Sequence, residues 1–162
     1  MTAIIHQFAV GADNLGVLIH DPASGATASI DAGDEAPILA ALGHKAWRLT
    51  DILVTHHHGD HIAALSSLKA RTGARVIAPR ADQHRIPDID LAVGEGDHFS
   101  VGTLAFTTFE TPGHTSGHVS FYSLDAKVVF VGDTLFSLGC GRLFEGTAEQ
   151  MWTSVSYTHL RA

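Results

Sequence analysis

One cysteine, Cys140, stands among 162 residues. It excludes an internal disulfide and cannot by itself build a cysteine-rich zinc site. No stretch approaches the ~20 apolar residues of a membrane-spanning helix, so no membrane association is expected. The opening "MTAIIHQFAVGADN" lacks a basic segment followed by a long apolar one. No secretory signal is read there, and a cytoplasmic protein is expected. Basic charge is scarce: 10 Lys plus Arg against 17 Asp plus Glu give a formal net charge of -7 with histidine neutral. Nucleic-acid affinity rests on cations that neutralise phosphates, so no nucleic-acid partner is expected. Internal repeats and low-complexity segments are absent, and nothing calls for an obligate protein partner.

What the chain has instead is histidine, 12 of them, more than Lys and Arg together. The length and the 45% hydrophobic content suit one domain with a real core. Apolar alternation and β-branched runs predict strands over 4–10, 15–20, 26–31, 51–55, 75–78, 97–100, 103–109, 118–124 and 127–132. "DPASG" at 21–25 and "VG" at 101–102 read as turns. Helices are predicted over 34–42, ending at Gly43; over 60–73, ending at Gly73; and from Thr147, where Thr147 and Gln150 form a capping box. Strand groups with helices between them suggest sheets with helices packed outside, an α/β or α+β sandwich. The last nine residues, "SVSYTHLRA", back-translate without strain into the end of a sequencing-library adapter. The expected domain is therefore 1–153, with 154–162 an adapter-encoded tail and the natural chain continuing past Thr153.

"THHHGDH" at 55–61 packs four histidines and an aspartate into seven positions directly after the apolar run "ILV". In extended backbone, residues two apart point to one side, so His56 and His58 share a face and His57 takes the other. Asp60 and His61, on the turn into a helix, reach a neighbouring point. Imidazole is the commonest ligand of zinc-like ions, carboxylate adds charge, and a catalytic ion needs only three or four protein ligands. Two later stretches offer further donors at strand ends: "FETPGHTSGH" (109–118) presents His114, and "VVFVGDTLF" (128–136) ends its strand at Asp133.

Together, "THHHGDH", "TPGHTSGH" and "GDTLFSLGCGRLFEGT" resemble the metallo-β-lactamase superfamily, and within it the bacterial hydroxyacylglutathione hydrolases (glyoxalase II). The resemblance spans essentially residues 1–153. It implies an αββα sandwich, incomplete at its C-terminal end, with a dinuclear metal centre at one edge. One ion would take His56, His58 and His114, the other Asp60 and His61, and Asp133 would bridge them. Zinc is expected, and iron and manganese suit the same donors. The implied reaction is hydrolysis of S-D-lactoylglutathione to D-lactate and glutathione, a step in methylglyoxal detoxification. Asp60 would also orient the attacking hydroxide. Arg142 would contact glutathione, Phe144 stands where some members have tyrosine, and His118 would hold the ligand loop. Cys140 reads as a small packing residue, and His6, His20, His44, His57, His84 and His98 receive no metal role.

The family adds one more histidine to the second ion, from a "GHEYT"-like segment, and a helical region that helps hold glutathione. Nothing after Thr153 matches either, and His159 is not accepted as a substitute. Two alternatives follow. One is a metal-binding chain with impaired catalysis. The other is a related superfamily enzyme such as a single-iron persulfide dioxygenase, for which an acidic residue is expected soon after Arg142, where this chain has Leu143 and Phe144.

Overall fold

The computed structural model describes residues 2–11 and 14–160. The apolar alternation builds two sheets. In the first, β1 (Ile4–Val10), β2 (Asn14–His20) and β3 (Thr27–Ile30) pair antiparallel. β4 (Asp51–Leu53), β5 (Arg75–Pro79) and β6 (Leu91–Val93) extend that sheet in parallel. A parallel pair needs a crossover connection. α1 (Glu35–Lys45) supplies one between β3 and β4; α2 (Gly59–Ile62) and α3 (Leu65–Thr72) supply the next, between β4 and β5. The second sheet is an antiparallel meander of β7 (His98–Val101), β8 (Leu104–Glu110), β9 (Val119–Ser123) and β10 (Val128–Phe130). α4 (Ala148–Leu160) follows.

Neighbouring residues on one strand face opposite cores. Leu18, Ile52 and Val76 pack with Ile38, Leu42, Leu65 and Leu68 of α1 and α3. Ile19, Leu53 and Ile77 face Phe99, Phe106, Phe121 and Phe130 of the second sheet. On the far side of that sheet, the Tyr157 ring of α4 lies 4.8 Å from the Phe109 ring, and Ser154 Oγ donates to the Pro112 carbonyl at 2.7 Å. The layers are helix, sheet, sheet, helix, the expected αββα sandwich.

Several boundaries differ from expectation. The helix expected over 60–73 is two helices, because tertiary hydrogen bonds take over its backbone at the break. Ala32 N–H donates to the His61 carbonyl at 2.7 Å, and Ala64 N–H donates to the Ala32 carbonyl at 2.8 Å. The approach is so close that a β-carbon on Gly33 would overlap the Asp60 carbonyl. α1 runs through Gly43 and ends at Ala46 in the left-handed region, its N–H returning to the Gly43 carbonyl. The unexpected β6 has only three residues and exists through pairing: Asp90 beside it accepts from and donates to the Val76 backbone. α4 opens with the expected capping box, Thr147 N–H to Gln150 Oε1 at 2.9 Å and Gln150 N–H to Thr147 Oγ1 at 3.2 Å. It then crosses the expected boundary at 153 unbroken. Of the tail, residues 161 and 162 and the side chain of His159 lie outside the described residues. No helix among the described residues is long and apolar enough to cross a membrane.

The two sheets are stapled by a carboxylate. Asp21, in the β2–β3 turn, is buried and accepts from Ala23 N–H, Ser24 Oγ, Thr103 N–H and Thr103 Oγ1. Thr103 lies in the β7–β8 turn of the other sheet. Burial works against the charge, but these donors outweigh it and hold the carboxyl well below the ordinary carboxylate range. A depressed folded-state pKa gives stability that is present above the unfolded pKa and lost as pH falls. Asp21→Ala is expected to cost about 2–3 kcal/mol at pH 7 by urea denaturation, since it removes charge-assisted hydrogen bonds that join the two sheets. The cost should shrink in acid; a variant as stable as the parent at pH 7 would count against the staple.

Candidate metal centre

The histidine turn leaves β4 in extended backbone, with His58 at φ -63°, ψ 146°. His56 and His58 therefore share a face, His56 Nε2 lying 3.2 Å from His58 Nδ1. His57 points away, its Nδ1 2.9 Å from Asp82 Oδ2. The loop between β8 and β9 brings in His114, Nε2 2.9 Å from His58 Nδ1. The short turn after β10 brings in Asp133, whose two oxygens divide: Oδ2 lies 3.3 Å from His114 Nε2 and Oδ1 lies 3.4 Å from His61 Nε2. Two donor groups result, each with its ligand atoms within 4.8 Å of one another: His56, His58 and His114, and His56, His61 and Asp133. Asp60 sits at the rim, its side chain 69% exposed and its Oδ2 3.5 Å from His61 Nε2. A cleft of about 780 Å³ opens beside His61 and Asp133, lined also by Asp31, Asp60 and Phe136.

The remaining ring nitrogens fix which donors are bare. His114 Nδ1–H donates to the Arg142 carbonyl at 2.7 Å, and a carbonyl only accepts. His61 Nδ1–H donates to Asp31 Oδ2 at 2.8 Å. A neutral ring in either place turns its Nε2 lone pair on other lone pairs and on carboxylate oxygens. Only protons or a shared cation can relieve that arrangement. Burial, then the charges of His61, His118, His114 and His58, pushes the His56 pKa far below the usual histidine range. His58 is lowered by burial and by His114 and His57. Burial also opposes a charge on His61, yet Asp31, Asp133 and Asp60 prevail and raise its pKa to about 9. Burial lifts Asp133 above the carboxylate range against the pull of His61 and His114. Converging imidazole nitrogens, a carboxylate between them, and oriented outer partners are the chemistry of a divalent metal site, and the residues fit one.

His118 is buried and has no lone pair to spare for an ion. Its Nε2 accepts the Asp133 N–H at 3.1 Å, and Nδ1 faces Thr111 Oγ1 at 2.9 Å. Burial and the neighbouring histidines lower its pKa to about 3, so it stays neutral. Gly132 makes room for it: φ is +48°, and a β-carbon there would crowd His118 Nε2 and Thr55. The Arg142 guanidinium lies 5.8 Å from the centroid of Phe144, whose ring edges against His58 and His114. Cys140 is exposed rather than packed, on the loop that follows the Phe136–Gly139 bridge. Asp31 was missed from sequence, although its signal matches that of Asp133, an aspartate directly after a strand. Asp31 has φ +60° and accepts from Thr55 N–H at 2.7 Å, from Thr55 Oγ1 and from His61.

A family model described as the metallo-beta-lactamase superfamily matches residues 8–159. The chain belongs to the metallo-β-lactamase superfamily. Within it, the chain is 55% identical over 155 residues to a hydroxyacylglutathione hydrolase of Rhodopseudomonas palustris, covering 96% of this chain and 61% of that protein. It is 58% identical over 144 residues to the hydroxyacylglutathione hydrolase of Rhizobium meliloti, covering 89% of this chain and 56% of the relative. The chain thus spans about three fifths of the length of these curated relatives. Among solved structures, ETHE1 from Myxococcus xanthus superposes with a TM-score of 0.83 at 32% identity, over 98% of this chain and 69% of that one.

The charge state of this superfamily member's cluster is testable without metal. In chelator-treated protein, ring NMR should show His61 titrating near 9 and His118 remaining neutral from pH 5 to 9. Because the His61 pKa is raised, its contribution to stability is full below the ordinary histidine value of 6.5 and is lost as pH rises through about 9. A His61 midpoint near 6.5 would refute the role given to Asp31.

Proposed function

We propose that the protein hydrolyses the thioester of S-D-lactoylglutathione to D-lactate and glutathione, using two divalent cations at the seam of the sheets. The observation that carries this reading is Asp133, with one oxygen toward His61 and the other toward His114. The name shared by the curated relatives supports the substrate. In this reading His56, His58 and His114 would hold one ion, Asp60 and His61 the other, and Asp133 would reach both. Zinc is the proposed metal, and iron and manganese accept the same donors. When bound, such ions supply a Lewis acid and a water acidic enough to attack a carbonyl at neutral pH.

The protein's own groups do the rest. Asp60 has a largely free carboxylate at the rim and orients the attacking water by accepting its proton in a hydrogen bond. His118 steadies Asp133 through its backbone N–H. Arg142 offers a planar, always-charged fork to a glutathione carboxylate. Phe144 walls the cluster on one side and, lacking a hydroxyl, gives no hydrogen bond to substrate. The thiolate leaves without an acid, since thiols have a pKa near ~8.5. Neither a nucleic acid nor a membrane takes part.

A second reading, a chain that binds metal but turns over poorly, is favoured by the unequal donor sets. The first group offers three imidazoles; the second shares His56 and otherwise has one imidazole, His61. Metal analysis after dialysis should find about one tightly held ion per chain and a second that is readily lost. Lactoylglutathione hydrolysis by this chain should then be at least about 100-fold below that of a full-length curated relative, such as the one from Rhizobium meliloti, as weakened ligand support commonly costs 10–100-fold or more. Two full ions with equal turnover in both would remove the second reading. Hydrolysis by this chain that survives complete chelation would remove the first. Asp133→Ala should lower content of both ions; loss of only one would argue against bridging.

A further inference from the structure

Behind the histidine turn lies a second polar cluster with no part in the chemistry above. Arg85 Nη1 is 2.5 Å from Glu145 Oε1 and 3.0 Å from His57 Nε2, and His57 Nδ1 faces Asp82 Oδ2. Arginine only donates and a carboxylate only accepts, so the directions are fixed. Arg85 donates to Glu145 and to His57 Nε2, which leaves His57 Nδ1–H to donate to buried Asp82. The other oxygen of Glu145 accepts from both Ser116 N–H and Ser116 Oγ, each at 2.8 Å. The Ser116 N–H, then its hydroxyl and Arg85, outweigh burial and hold the Glu145 pKa at about 2, so the acceptor stays charged.

This cluster joins the loops that carry the donors. Ser116 lies two residues beyond His114, and Glu145 directly follows Phe144. The two loops are also laced by backbone: Phe144 N–H donates to the His114 carbonyl at 3.2 Å and Gly146 N–H to the Gly113 carbonyl at 3.1 Å. Arg142, Leu143 and Phe144 are exposed and belong to no helix or strand. Apolar burial therefore does little to hold that stretch, and its polar bonds do most of it. The carbonyl of Arg142, on the same stretch, is the acceptor that sets the His114 ring.

We propose that Glu145, clasped by Arg85 and Ser116, is a positioning residue: it fixes the 142–146 loop and, through the Arg142 carbonyl, aims His114 Nε2 at the donor cluster. The inference rests on the metal-centre reading. Partners that orient a metal-ligating imidazole typically change metal affinity 10–100-fold.

The test uses the 162-residue chain with Co(II) as the probe, because its visible bands report ligand geometry. Glu145→Ala should weaken Co(II) binding about 10–100-fold and shift those bands. Glu145→Gln keeps an oxygen for Ser116 and should fall between. Arg85→Met attacks the clasp from its other end and carries the test should Glu145→Ala fail to fold. In the metal-free chain, amide exchange at Phe144 and Gly146 should accelerate in these variants while β8 and β9 stay protected. Unchanged Co(II) affinity and bands overturn the proposal, even with faster exchange, since the clasp would then be structural only. Failure of the parent chain to take up Co(II) is a different result. It removes the metal-centre reading and this proposal with it, while the exchange data still report whether Glu145 holds the loop.

Discussion

Bare imidazole nitrogens and a carboxylate converge on one small volume at the seam between the sheets, and they repel one another unless a positive charge sits among them. The rest of the structure answers that constraint. Each converging ring except His58 has its other nitrogen tied to a specific neighbour: His56 to Thr55, His61 to Asp31, His114 to the Arg142 carbonyl. The three tethered rings cannot turn away, so relief must come from protons or from metal.

The sandwich is built so that three loops arrive at one edge. β4 delivers the histidine turn, β8 and β9 deliver His114, and β10 delivers Asp133. The two sheets are joined at that edge by backbone as well as by side chains. The Thr55 carbonyl, at the foot of the histidine turn, accepts the N–H of Val119, the first residue of β9, at 3.0 Å. Thr55 also binds Asp31, and His118 binds Asp133. A donor from one sheet is thereby held in fixed relation to a donor from the other. The Glu145 clasp extends the same logic to the mouth of the site, where exposed residues have little packing to rely on.

Most strands were legible, because a half-buried pleat imposes period two and these residues obey it. Two of the elements that were not legible share a cause: α2 and α3 separate, and β6 forms from three residues, because backbone groups find partners distant in sequence. α1 passes its glycine for a local reason, closing instead on a left-handed cap at Ala46. The site divides likewise. The alternation of His56, His57 and His58 is a local consequence of extended backbone, and it was readable. Asp31 carried the same strand-end signal as Asp133, but only its contact with His61 distinguishes it from an ordinary turn residue.

Residue types and their spacing gave a sandwich of sheets with helices outside and a short list of candidate donors, since period, turn chemistry and ligand preference act over a few residues; the three quoted motifs carried the resemblance to the superfamily, which in turn implied the order of the layers. Which nitrogens are bare, how Asp133 divides its oxygens, and why Glu145 matters were decided by the tertiary structure. Those depend on contacts between segments far apart in sequence, such as Thr55 with Asp31, His61 with Asp133 and Arg85 with Glu145. No local pattern encodes such a contact, because it exists only once both partners are in place.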